Sequence, residues 1–416
     1  MQVIPYKWMK KKFCEWCSFL GIYNNKKGNC ILCESKSLSE DEICEKKFLW
    51  EEFKYKKYIW YYVETIDAIS QNYQKKSSSG GLTTSLLADL LERKEIDYAI
   101  VVWWSQKHMD FRYTKVDHCK DLYHTQRSAY YPISLIQAIN ILEKNKGVCA
   151  ITCIPSAAKA FELLKETQPE LKNKIKYLIG LTYHSTKTKQ YTQYLCKKSG
   201  KNNGLKDVIY CSYRNKDTIA NSLHDFVIRT EIQEWKISWK KRKWLDWSIW
   251  LLQEFSSNFV DDHYCECADI SVMDAWHKNY KDNHWTSLAI VRNQKLLSYI
   301  KSNKDLIINK VSTNIILDSQ KSGIDSKNKE LAIRLKLYKM IYNISIPKRV
   351  SPKFWKNPIK IIKTIFHLWI QVIMEKKFIR WKNIDNTIII SSKIYWFLQK
   401  IDKICDKIIC ILNLWK

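Results

Sequence analysis

Ser77-Ser78-Ser79-Gly80-Gly81, followed by Leu82-Thr83-Thr84-Ser85-Leu86-Leu87-Ala88-Asp89-Leu90-Leu91, is the stretch on which the reading of this chain turns. Only nine glycines occur in 416 residues, and two stand here side by side after three hydroxyls. The leucines recur at helical spacing, so the run predicts a turn opening directly into a helix. Small residues at such a start let backbone N–H groups approach an anion, and the helix dipole favours negative charge there. A phosphate or pyrophosphate suits this chemistry, with Thr83 as a further hydroxyl in the first turn. The same letters also serve an ordinary N-capped helix after a turn, because serine caps helices well.

Around this turn the sequence alternates strand and helix. Tyr58–Val63, Tyr98–Trp104, Val148–Ile154 and Tyr177–Thr182 read as strands, and Ser134–Lys144 and Ala157–Thr167 as helices. That alternation predicts an α/β fold, a mixed sheet with flanking helices. Loops at the carboxyl ends of such strands line the ligand crevice, which makes Ile154–Ser156 and Tyr183–Ser185 candidate site loops. Further on, Ala268-Asp269-Ile270-Ser271-Val272-Met273-Asp274-Ala275-Trp276 places two acids five apart around a short apolar run. They could bind a ribose or simply fix a turn.

Composition bounds the partners. With 46% hydrophobic and 13% aromatic residues the chain can bury a large core, which excludes a disordered protein. The net charge of +28 suits an anionic partner: nucleic acid, a phosphate-bearing cofactor or an acidic membrane surface. A genome rich in A and T would also raise the lysine content. No apolar leader precedes Cys14, so a cytoplasmic protein is expected, its 14 cysteines reduced or bound to metal. Cys14-x2-Cys17 and Cys30-x2-Cys33 have spacing for zinc or an iron–sulfur centre, and define a small cysteine-rich module over 1–50. The central domain is expected over 55–300. The Trp235–Trp250 stretch, with Lys240, Lys241, Arg242 and Lys243, suits stacking, a membrane interface or core packing. Residues 301–416 read as a basic helical region, and the last 66 residues hold 13 Lys and Arg against 4 Asp and Glu. Its amphipathic segments could rest on an acidic membrane face or pack on the main body.

Taken in order, several segments resemble the coenzyme F420 hydrogenase/dehydrogenase beta subunit family, whose members carry flavin and iron–sulfur clusters. Ser77–Gly81 is similar to its Ser-Ser-Gly-Gly, Ser128-Ala129-Tyr130 to its Ser-Lys-Tyr, and Pro155-Ser156 to its Pro-Cys. Tyr183-His184 stands at its Cys-His, Ser212-Tyr213-Arg214-Asn215-Lys216 at its Ser-Phe-Arg-Asp-Lys, and Asp262-His263 with Ala268–Trp276 at its last two motifs. Four family cysteines, plausible ligands of one cluster, are here Ser156, Tyr183, Ser257 and Val260, and neutral groups cannot stand in for thiolates. Cys153, Cys265 and Cys267 lie nearby at shifted positions. The resemblance implies a divergent flavin-dependent oxidoreductase of surface polysaccharide biosynthesis. FAD phosphate would lie at Ser77, Ser78, Ser79, Gly80, Gly81 and Thr83 with Arg214, while Asp269, Ser271 and Asp274 would shape the crevice. His184 would orient a ring or move a proton. A redox partner protein would be expected, and contact with the inner face of an acidic membrane. The alternative is a non-catalytic descendant that binds a partner or membrane. A zinc-ribbon nucleic-acid binder ranks last, because it leaves the middle of the chain unexplained.

Overall fold

The computed structural model describes residues 39–48, 53–216, 225–238, 252–280, 285–342, 349–354, 357–380 and 384–414. Cys14, Cys17, Cys30 and Cys33 and the tryptophan-rich run over 239–250 lie outside the described residues. The described chain begins with α1 (Glu40–Phe48) and a short hairpin, β1 (Lys54–Lys56) with β2 (Trp60–Tyr62), before β3 (Glu64–Ser70). α2 (Leu82–Glu92) leads into the hairpin β4 (Tyr98–Ser105) and β5 (Asp110–Val116). α3 (Cys119–Leu122) and α4 (Leu135–Lys144) precede β6 (Cys149–Cys153), α5 (Pro155–Thr167), α6 (Pro169–Lys174) and β7 (Ile175–Leu181). Next come α7 (Lys189–Lys198), β8 (Tyr210–Asn215), β9 (Asp225–Arg229) and β10 (Glu234–Ile237). β11 (Ile270–Asp274), β12 (Ser287–Val291), α8 (Gln294–Ser302) and β13 (Leu306–Lys310) follow. The chain ends in α9 (Thr313–Ser319), α10 (Lys321–Asp325), α11 (Leu331–Tyr342), α12 (Pro358–Arg380) and α13 (Ile384–Leu414).

One sheet of eight strands runs in the order β13-β3-β12-β11-β7-β6-β4-β5. Its centre, β11-β7-β6-β4, is parallel, and antiparallel strands extend it on both sides. The architecture is therefore α/β with a mixed sheet and flanking helices. The expected strands at 98–104, 148–154 and 177–182 are β4, β6 and β7. The stretch Tyr58–Val63 behaves differently: it gives only the hairpin arm β2, and the sheet strand is the next segment, β3. Its polar positions conceal it in the sequence, because Thr65 donates to the Val311 carbonyl at 2.7 Å and Ser70 to Asp305 at 2.6 Å. The sheet also continues past residue 300, since β13 pairs with β3 over five residues.

Both faces are covered. Leu82, Leu86, Leu87, Leu90 and Leu91 of α2 pack with Leu296, Leu297 and Ile300 of α8 on one side. At roughly 1.5–3 kcal/mol for each fully buried leucine, this packing is what holds α2. No side chain caps it. Its N-cap is Gly81, in the left-handed region at φ +88°, so the serine-capped reading of the turn does not hold. α1, α4 and α5 cover the opposite face through Phe48, Leu135, Leu142 and Phe161. A second, three-stranded sheet, β10-β9-β8, packs with α7 against Trp104 and Phe111 at the β4–β5 edge.

Candidate functional site

Strand alternation makes β8 a two-faced device. Cys211 and Tyr213 enter the aromatic core, so Ser212, Arg214 and the adjoining Lys216 point the other way, toward the Ser77–Gly81 turn. Arg214 is buried, and donates to Asp274 at 2.8 Å and to the Ser78 carbonyl at 3.0 Å. Lys216 donates to the carbonyls of Gln74 and Ser79, both at 2.8 Å. Arg127, at φ +94°, donates to the Lys76 carbonyl at 3.0 Å and bonds Tyr210 and Asn215. Three cations thus take up carbonyls of the turn and of the residues just before it. Among the described residues no protein acceptor meets the amides of Leu82, Thr83 and Thr84, which open α2.

The serine hydroxyls hold the turn in place. Ser77 donates to Gln126 at 3.1 Å, Ser78 accepts from the Ser128 amide at 2.8 Å, and Ser79 donates to the Thr286 carbonyl at 2.8 Å. The glycines answer to the protein's own packing as well as to any ligand. A Cβ on Gly80 would lie 2.4 Å from the Ala68 carbonyl oxygen and 2.5 Å from the Ser287 nitrogen. The half-buried Thr83 remains in the first turn of α2, beside the amides.

Charge at this cradle is unevenly held. Burial works against the Arg214 cation, but Asp274 and Tyr130 more than offset it and raise its pKa. Lys216 goes the other way: burial first, then repulsion from Arg214 and Arg127, pushes it down to about 7, with Asp274 opposing. An incoming anion would therefore find a positive group poised near neutrality.

The motif Ala268–Trp276 divides in space. Asp274 ends β11 at the carboxyl edge and belongs to the cradle. Asp269 lies at the other end, about 16 Å away at the rise of an extended strand, with Lys47 at 3.1 Å and the Leu178 amide at 2.8 Å. Although burial opposes its ionisation, Lys47 and Lys165 hold Asp269 below the usual carboxylate range. Ser271 points to the sheet face away from Asp274 and accepts from Arg292 at 2.6 Å. Asp269 and Ser271 thus fasten the fold at a distance from the turn.

His184 follows β7 at the same carboxyl edge as Asp274 and is exposed. Surrounding protein, then Lys327 and His263, lower its pKa, so its imidazole is neutral at pH 7. The resemblance implies a cluster site beside it. Two of the substituted positions do meet: the hydroxyls of Tyr183 and Ser257 are 2.7 Å apart, and Ser257 accepts from the Thr186 amide at 3.0 Å. Lys327 Nζ stands 4.8 Å from the Tyr183 ring. A cation, two hydroxyls and the buried Val260 do not fit an iron–sulfur cluster, which needs thiolates.

The shifted cysteines do not replace the missing set. Cys265 lies against Cys153, its Sγ 3.8 Å from the Cys153 carbonyl, and the free thiol of Cys267 lies beside that of Cys44. Burial and Cys153 raise the Cys265 thiol well above its ordinary value; Cys44 and burial do the same for Cys267. No group of three or more metal-ligating side chains occurs among the described residues. A variant with Cys14, Cys17, Cys30 and Cys33 all changed to serine should therefore develop no iron–sulfur absorption on anaerobic reconstitution with iron and sulfide. A brown product would place a cluster in the α/β domain and refute this assignment.

Arg127 and Gln126 do not stand out from the sequence as site residues, whereas Ser128 and Lys216 lie inside motifs that carry the resemblance. The available signal is the period-two spacing of Ser212, Arg214 and Lys216.

Residues 65–140 match the model of the N-terminal part of the coenzyme F420 hydrogenase/dehydrogenase beta subunit, and residues 147–313 match the model of its carboxyl-terminal part. Among solved structures, a xenon-derivatised F420-reducing [NiFe] hydrogenase complex from Methanosarcina barkeri contains a chain of the same fold. The TM-score is 0.52 at 17% identity, covering 71% of this chain and 99% of that one. No curated protein sequence matches the chain significantly. With both halves of the family pattern present in order, and the α/β fold to go with them, the chain belongs to the coenzyme F420 hydrogenase/dehydrogenase beta subunit family.

Proposed function

We propose that the protein is a divergent flavin-dependent oxidoreductase that seats a phosphate of FAD at the N-terminus of α2. The observation that carries this reading is the convergence of Arg127, Arg214 and Lys216 on Lys76, Ser78 and Ser79, in and just before the Ser77–Gly81 turn, at the carboxyl edge of the sheet. The amides of Leu82, Thr83 and Thr84, the Thr83 hydroxyl and the Lys216 ammonium would bind the phosphate. Arg214 would hold the turn in position, with Asp274 fixing the guanidinium. His184, as a neutral imidazole at the same sheet edge, would orient a substrate group by hydrogen bonding. When bound, the flavin supplies hydride chemistry, and the protein supplies position and field. Placement in surface polysaccharide biosynthesis rests on the resemblance. A redox partner protein fits the family, whose solved neighbour is a hydrogenase complex. The net charge fits work in the cytoplasm at the inner face of an acidic membrane. An N-terminal zinc or iron–sulfur centre on Cys14, Cys17, Cys30 and Cys33 completes the proposal.

The test is the visible spectrum of anaerobically purified protein, followed by FAD titration. Flavin bands or saturable uptake are expected. The affinity should fall as pH rises from about 6 to about 8, because Lys216 loses its proton on passing its value near neutrality. Lys216→Met should bind more weakly and lose that pH dependence. A colourless protein that takes up no FAD would overturn the reading and favour the non-catalytic alternative. The Tyr183–Ser257 bond, which closes the place of the family cysteines, already favours that alternative in part.

A further inference from the structure

The C-terminal hairpin is built with its polarity reversed. α12 turns Lys360, Lys363, Thr364, His367 and Gln371 inward, each no more than 7% exposed. Several of their polar groups are used there: Lys363 pairs with Asp402 at 2.6 Å and Glu330 at 2.7 Å, and Gln371 accepts from Asn258 at 2.8 Å. Outward, the same helix shows Ile362, Ile365 and Trp369, spaced three and four apart and about half exposed. α13 repeats the pattern with Ile390, Ile394, Phe397 and Ile404. A helix surrounded by water places its apolar stripe inward. These two helices do so only in part, through groups such as Ile370. Their outer stripes form an apolar surface of the kind that marks a contact.

Charge beside the stripes decides what they contact. Lys393, Lys400 and Lys403 are exposed along α13, and Lys400 lies 3.6 Å over the Trp396 ring. Asp402, the neighbouring acid, is turned inward onto Lys363 and Asn357. Apolar residues with tryptophan at the rim and lysines alongside are the composition of a helix lying in the interface of an anionic bilayer. No helix among the described residues is long and apolar enough to cross a membrane, so the hairpin would lie on the surface. We propose that the outer face of α12 and α13 is an anionic-lipid docking surface. This rests on the placement at the inner membrane face proposed above, and it names the surface responsible.

The experiment is flotation of the full-length protein with vesicles of phosphatidylcholine plus phosphatidylglycerol, compared with phosphatidylcholine alone. Binding is expected only to the anionic vesicles, and should weaken with salt. Ile394→Ser with Phe397→Ser, which are 40% and 60% exposed, should cut partitioning at least about tenfold with unchanged circular dichroism and a melting temperature that stays well above that of the assay. Failure of the parent protein to float would overturn the proposal, as would equal binding to neutral vesicles or a variant that floats normally. A dimer or protein complex that covers the stripes while flotation fails would assign the surface to a protein instead. FAD uptake measured on the same samples separates failure here from failure of the flavin reading.

Discussion

Gly80→Ala is expected to destabilise the protein by about 3 kcal/mol or more, because both atoms the new methyl meets belong to backbone and cannot move aside. They are the Ala68 carbonyl oxygen on β3 and the Ser287 nitrogen on β12, at 2.4 and 2.5 Å. The two strands are neighbours in the sheet, so relieving the contact means displacing the turn or parting the pair. Gly204→Ala is the control. Its φ of +59° is unfavourable for alanine, but nothing lies within 4 Å of the added carbon. That change should cost about 1–2 kcal/mol from backbone conformation alone. Chemical denaturation of both variants checks the ranking. Equal losses would show that the turn yields and that the close approach at Gly80 is not what keeps it a glycine.

The second large effect is expected at Arg214. Removing it in Arg214→Ala leaves Asp274 without its cation and the Ser78 carbonyl without its donor, in a site where the arginine is 3% exposed. Breaking a buried pair by deleting one partner costs roughly 3–5 kcal/mol, and the partly accessible Asp274 side chain puts this case at the lower end. Arg214→Lys should recover little, since one ammonium cannot reproduce the fork that reaches both Asp274 and Ser78. FAD uptake should be lost in both variants, because the turn would no longer be fixed against β8. If Arg214→Ala retains both its denaturation midpoint and its flavin affinity, the arginine neither ties the turn nor supports the site.

How legible these features are depends on how local they are. β4, β6 and β7 are buried on both faces, so Tyr98–Trp104, Val148–Ile154 and Tyr177–Thr182 stand out as apolar runs. β5 alternates polar and apolar residues and β3 mixes them, and their polar groups find partners only in the folded chain, as Thr65 does with Val311. The Ser77–Gly81 turn is visible because its letters are contiguous. Its cations are harder to foresee: Arg214 and Lys216 reach it across 136 and 137 residues. Asp269 and Asp274 illustrate the opposite limit. They are close in sequence, yet an extended strand carries them to opposite ends of the sheet, where one anchors Lys47 and the other Arg214.

The inward side of α12 has a consequence for bearing as well as for attachment. Greasy contacts let a helix roll or slide a little on its support, whereas ion pairs and amide hydrogen bonds have preferred directions. Lys363 between Asp402 and Glu330, and Gln371 on Asn258, therefore clamp the hairpin against rotation as well as lift-off. Whatever surface the outer stripes meet, the sheet is held at one set angle to it. The mouth of the cradle then has a fixed compass heading, and any ligand it takes would enter from that quarter.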